Sequence, residues 1–150
     1  LSLSTATTRA FLPCVADCEV DAFIASRDRL HPDFQAFLTP HTRADYRKLE
    51  ARLFLHSSGE GGFGLTSFGE LISVFSFPKA NLGPLAVQEA IGAGAKFLWC
   101  YDVPHLRRLY HSHGFEIRKS IAWDDAVSPC NWNYARFGRP AILLMQRDDG

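Results

Sequence analysis

The sequence predicts an α/β (α+β) domain built on a mixed central sheet of about six to seven strands flanked by about four helices. Three observations predict it. Helix-type and strand-type patterns alternate along residues 1–150 with no repeat, linker or low-complexity tract between them, so one domain spans 1–150. Between Arg52 and Phe77, three short β-type runs are separated by glycine-containing turns, the pattern of an antiparallel meander. The segment Lys96–Asp102, KFLWCYD, is too continuously apolar for a surface strand, and predicts a central strand covered on both faces.

Residues Thr8 to Val15 predict the first strand, after which Asp17 caps a helix whose apolar positions Val20, Phe23 and Ile24 recur at helical spacing. His31-Pro32 ends or restarts that helix, because the residue before proline is pushed out of the helical region. Thr42 opens a second one, TRADYRKLEARLF, with Tyr46, Leu49 and Leu53 on one face and Asp45 and Glu50 outside. The β-type runs RLFLH, GFGLTS and ELISVFSF follow, separated by SSGEGG and Phe68-Gly69. A loop, PKANLGP, leads into a short apolar helix, LAVQEAIGAGA, stopped by Gly92 and Gly94. After the apolar strand, Val103 to His113 predicts a helix with Pro104 in its first turn, where a missing N–H costs nothing, and Gly114 as its stop. Leu106, Leu109 and Tyr110 share one face of it. Two last strands, EIRKSIAW and PAILLMQR, are joined by the long loop DDAVSPCNWNYARFGR, a connection compatible with an antiparallel pair.

Composition narrows the class of function. Lys+Arg and Asp+Glu both number 16, so no basic excess announces a nucleic-acid footprint. No apolar run approaches the roughly 20 residues that cross a bilayer, and the start, LSLSTATTRAF, lacks a basic segment followed by an apolar one. A cytoplasmic protein without membrane contact is expected. The first residue is not methionine, so the chain can be part of something longer. Cys14, Cys18, Cys100 and Cys130 are few and scattered, as free thiols of a reducing compartment are.

The strand at 96–102, the helix carrying Leu109-Tyr110, the Gly114-Phe115 stop and the strand beyond it form a strand-helix-LYxxxGF-strand unit. This unit, with the β-α-α-β-β-β-α-β-α-β-β order of nearly the whole chain, resembles the GNAT superfamily of N-acetyltransferases. The resemblance implies the GNAT fold and an acyl-CoA-dependent N-acyltransferase moving an acetyl or related group directly to an amine, small or macromolecular. Acetyl-CoA or another acyl-CoA is the implied co-substrate, with no metal. Tyr110 is the implied acid for the leaving thiolate, and Glu70 the implied base. Backbone groups of Phe75 and Ser76 would hold the pantetheine arm as an added strand does, and Lys79, Asn81, Leu82 and Gly83 would meet the pyrophosphate. Two departures stand out. The Asn-x-x-Ala that usually precedes Leu-Tyr is replaced by Val103 and Leu106, and the phosphate loop has one glycine with Pro84 removing an N–H. These departures fit an alternative, a GNAT-fold module without cofactor that serves as a structural or interaction domain, for instance in a phage particle.

Other residues admit competing readings. His56 and Asp102 are alternative bases. His105, His111 and His113 cluster around one helix, but His111 and His113 face apart, and histidines that are solvated or cap the helix end are the better reading. Cys100, inside an apolar strand, reads as an inert core thiol. Arg107-Arg108 with Arg118-Lys119 form either a solvated basic edge or an attractor of phosphates. The segment SPCNWNYARFGRP mixes Trp132, Tyr134 and Phe137 with Arg136 and Arg139, as binding loops do and as a loop folded back over the sheet does. It is similar to a tail found in short GNAT-like proteins of phages, prophages and actinobacteria, which implies a phage-encoded origin in a bacterial host.

Overall fold

The computed structural model of the chain describes residues 10–148. The start of the first predicted strand, Thr8 and Arg9, and residues 1–9 of the segment read for an export signal lie outside the described residues. Seven strands are present: β1 (Phe11–Cys14), β2 (Arg52–His56), β3 (Gly61–Leu65), β4 (Leu71–Ser76), β5 (Phe97–Tyr101), β6 (Phe115–Ile121) and β7 (Ile142–Arg147). Among the described residues there are six α-helices: α1 (Asp17–Arg27), α2 (Pro32–Gln35), α3 (Arg43–Lys48), α4 (Gly83–Gly92), α5 (Pro104–His111) and α6 (Tyr134–Phe137). None of them is long and apolar enough to cross a membrane.

The strands form two antiparallel sheets, ordered β1-β2-β3-β4 and β5-β7-β6, which meet through one parallel bridge between Glu70 and Phe97. Strand β7 is thus inserted between β5 and β6. The expectation of a strand covered on both faces is corrected here. Strand β5 has a ladder only with β7, its other edge is open beyond the Phe97 N–H that reaches the Gly69 carbonyl, and Trp99 is 40% exposed.

Alternation along the strands builds a core on each face. Phe54 and Phe63, stacked at 4.8 Å, pack with Ala86, Val87 and Ala90 of α4 and Tyr110 of α5. On the opposite face Leu53 and Phe75 pack with Val20 and Phe23 of α1 and Tyr46 of α3. Gly62 allows this second core to close. A Cβ there would lie 2.7 Å from the Phe54 carbonyl oxygen and 2.8 Å from the Phe23 ring.

The helix starts follow capping chemistry, with one correction. Asp17 is the first helical residue rather than the cap. Ala16 holds the cap position, and the Glu19 carboxylate accepts the Val15 and Ala16 N–H groups at 3.0 and 2.9 Å. Thr42 and Asp45 do form a reciprocal capping box at 3.1 and 2.9 Å. Helix α3 stops at Lys48, short of the predicted run, because Glu50 turns to φ +50° and Arg52 onward pairs as β2.

Strand β4 carries a bulge. Gly62 faces Phe75 and Gly64 faces Ile72, so Ser73 and Val74 together oppose Phe63. Ser73 has φ +54°, a left-handed conformation that costs a non-glycine residue about 1–3 kcal/mol. A buried network holds it. Arg27, 4% exposed, donates to the His41 carbonyl at 2.7 Å and to the Tyr46 hydroxyl at 2.9 Å, and its Nε pairs with Asp28 at 3.0 Å. The Tyr46 oxygen already accepts from Arg27, so its own proton is free for Ser73 Oγ, 2.7 Å away. Tyr46→Phe strands a buried guanidinium N–H and the Ser73 hydroxyl, and is expected to cost about 1–3 kcal/mol. Urea unfolding should show a lower midpoint at unchanged slope; an unmoved midpoint would show that the bulge does not lean on this network.

Candidate active site

Beyond the Glu70–Phe97 bridge no hydrogen bond joins β4 to β5, and the two strands diverge around a cleft of about 850 Å³. Each presents one strand edge to it. Backbone N–H and C=O groups on such edges bind whatever extended chain can pair with them. Of the predicted site residues, Glu70, Phe75, Ser76, Asn81, Gly83 and Tyr110 line this cleft, whereas Lys79 and Leu82 do not.

On the α4–α5 face, the loop expected to cradle phosphate has spent most of its donors internally. Ser76 Oγ accepts the Leu82 N–H at 2.8 Å and donates to the Phe77 carbonyl, which also receives the Ala80 and Asn81 N–H groups. Pro84 has no N–H. Among the described residues, the N–H groups of Gly83 and Leu85 remain for an anion at the α4 start. Asn81 does not cap α4. It sits at φ +49°, and Leu82 holds the cap position without a side-chain bond.

Tyr110 is buried on α5 between Phe115, ring to ring at 6.0 Å, and the cleft. Its hydroxyl makes no hydrogen bond with a described residue. Burial, with a smaller contribution from the Cys100 thiol, raises the phenol above its ordinary value, so the proton stays in place at neutral pH. Cys100 lines the same wall, and burial with the nearby Asp102 charge pushes its thiol up to about 12. A thiol so held is protonated and not a nucleophile.

Glu70 stands at the bridge where the two sheets meet. Its carboxylate has no hydrogen bond or ion pair with a described residue, and burial raises its pKa above the ordinary carboxylate value. A half-buried carboxylate without a partner, in a cleft, is a competent proton acceptor. The alternative bases fare differently. His56 bonds Ser58 outside the cleft, and Asp102 is paired with Arg107 at 2.6 Å.

The remaining predicted constellations separate. His113 bonds the Leu109 carbonyl at 2.9 Å at the end of α5, His111 is exposed, and His105 packs against Phe37. The basic edge is partly neutralised, since Arg107 pairs with Asp102 and Arg118 with Asp148. Arg108 instead lines the cleft with no ion pair among the described residues. The aromatic loop folds back. Trp132 is buried, donates to the Gly138 carbonyl at 2.8 Å and packs on Tyr101, Trp123, Phe37 and Phe137. Arg136 and Arg139 are held by Asp33 and Asp125. The loop braces α2 and its following turn, and so shapes the cleft wall that meets the start of α5 where Phe37 packs on His105.

Sequence reading missed that wall. Phe34, Phe37, His41, Trp99 and Ser73 line it, contributed by four separate segments. Only Trp99 left a signal, through its place between the core-facing Leu98 and Cys100.

No protein-family model matches the chain, and no curated protein sequence matches it. Solved structures do. A protein assigned as a phosphinothricin N-acetyltransferase superposes with a TM-score of 0.61 at 13% identity, over 93% of this chain and 98% of its own. A Salmonella typhimurium protein assigned as an acetyltransferase, solved with acetyl-CoA, gives 0.56 at 16% identity, over 95% and 96% of the two chains. A GCN5-related N-acetyltransferase from Rhodopseudomonas palustris gives 0.53 at 15% identity, over 95% and 96%. At such identities the likeness is one of fold, and the fold of this chain is that of the GCN5-related N-acetyltransferases.

Proposed function

We propose that the protein is an acyl-CoA-dependent N-acyltransferase that transfers an acetyl or related group directly to a primary amine. One observation carries this reading: a cleft opens between two free strand edges, and on its lining stand a tyrosine hydroxyl and a carboxylate without a hydrogen-bond partner among the described residues. The acetyl-CoA bound by the Salmonella protein of the same fold supports it.

The residues fit the pantetheine arm better than the pyrophosphate. The free edge of β4 at Phe75 and Ser76 offers backbone partners to an amide-bearing chain, and Gly83 and Leu85 offer two N–H groups to a phosphate. When bound, acyl-CoA supplies the activated thioester. Glu70 takes a proton from the acceptor ammonium, the freed lone pair forms the N–C bond as the C–S bond breaks, and the remaining surplus proton on nitrogen passes to the departing thiolate. Tyr110 lines the cleft, and in this reading it serves the leaving sulfur. A buried phenol held above its ordinary value is a weak acid, so Tyr110 acts chiefly by donating a hydrogen bond to developing negative charge.

The crowded phosphate loop favours a second reading, a GNAT-fold module that has lost the cofactor and serves an interaction role. Calorimetric titration with acetyl-CoA separates the two. Saturable heat is expected, and none at millimolar ligand would leave only the second reading.

Tyr110→Phe should lower kcat by about 10²–10³ with the acetyl-CoA Kd unchanged. Unaltered turnover would remove Tyr110 from the chemistry. For Glu70 the sign is set by its raised pKa: it is an acceptor above that value and protonated below it. The kcat profile should therefore fall on the acid side at a pH above the ordinary carboxylate value. Glu70→Gln should abolish that limb and lower kcat by ~10²–10⁴; persistence of the limb in the variant would assign it elsewhere.

A further inference from the structure

We infer that the acceptor is a primary amine with an aromatic body and a single positive charge, seated against Trp99 and Phe37. This deepens the proposed transferase function and rests on it.

Strand alternation divides the cleft. Leu98 and Cys100 pack into the core with Tyr110, so Trp99 between them turns to the opposite face, where it stays 40% exposed along the lining. That face is otherwise walled by Phe34, Phe37, Leu38 and Leu49. Phe37 is locked in position by Phe137 at 4.8 Å, Trp132 at 5.3 Å and His105 at 5.5 Å. Phe37, held this way, is a rigid aromatic wall in advance of binding, and the exposed Trp99 ring lines the same cleft, so a flat apolar body seats against them at little ordering cost.

Charge then selects the kind of amine. Glu70 and Arg108 are the charged side chains of the lining. His41 and His105 also border it, but burial lowers both; the Asp45 charge partly offsets this at His41, where Arg27 adds to the lowering, and Arg108 and Arg136 add to it at His105. Both imidazoles are therefore neutral at pH 7. Glu70 lies two positions before Ile72, which packs into the α1–α3 core, so its side chain belongs to the Trp99 face. One carboxylate matches one ammonium. A polyamine or a lysine-rich peptide would bring several, with Arg108 opposing them and no further carboxylate to receive them.

The test pairs an acetyl-CoA titration with turnover on 2-phenylethylamine and on spermidine, using the full chain. The expected kcat/KM is at least ten-fold higher for 2-phenylethylamine. Trp99→Ala should raise its KM at least ten-fold with the acetyl-CoA Kd unchanged, and Trp99→Phe should restore most of the loss. Acetyl-CoA binding with equal or better use of spermidine, or a KM indifferent to Trp99→Ala, would overturn the inference and leave the transferase reading standing. No acetyl-CoA binding would overturn both.

Discussion

The break in backbone pairing between β4 and β5 is the constraint on which the rest of this molecule depends. A sheet normally gives every interior N–H and C=O a partner, and leaving two edges unpaired within a fold is costly unless solvent or another chain satisfies them. Here Glu70 and Phe97 make the last contact before the strands part. Everything around the opening keeps it open. The Ser73 bulge interrupts the regular ladder of β4, β7 binds β5 from its far side, and helices from both faces furnish walls beside the gap.

The bulge and the cleft are held by different kinds of force. Dense packing supports α4 and α5, where small residues such as Ala86 and Ala90 let helix and sheet approach closely. The opposite face relies on a buried cation, Arg27, whose hydrogen bonds reach from α1 through Tyr46 to the strained serine. A charge is expensive to bury and pairs directionally, so it ties three elements together in one geometry where apolar contact alone would let them slide. The cleft wall rests instead on aromatic packing around Trp132, to which the exposed Arg136–Asp33 and Arg139–Asp125 pairs add little.

How much of this was legible from residues alone depended on range. Capping at Thr42, the glycine-marked meander, the Pro104 start and Gly114 stop of α5 are local, and each was readable within a few positions. Tyr110 and Glu70 could be located because they sit at the ends of such elements. The split of the sheet, the insertion of β7 and the partial covering of β5 are set by pairing across tens of residues, where a continuous apolar run looks the same at a cleft as in a core. The bulge at Ser73 lacked the glycine that usually marks positive φ, because Tyr46, distant in sequence, supplies the compensation. The Leu82 N–H was lost to Ser76 by a bond no pattern announces. The aromatic cleft wall, assembled from four separate segments, was hidden for the same reason apart from Trp99.

The position of β7 has a consequence for how the molecule comes into being. Strands β1 to β4 pair with their neighbours in chain order, so that sheet can zip up as it is translated. Strand β5 has no sheet partner until residues 142–147 emerge, more than forty positions later, and β6 must wait as well. For that interval the nascent chain carries a finished half and an apolar, unpaired KFLWCYD. The step that completes the domain is the arrival of its last strand, which makes that interval the time when a chaperone or an aggregate competes for the chain.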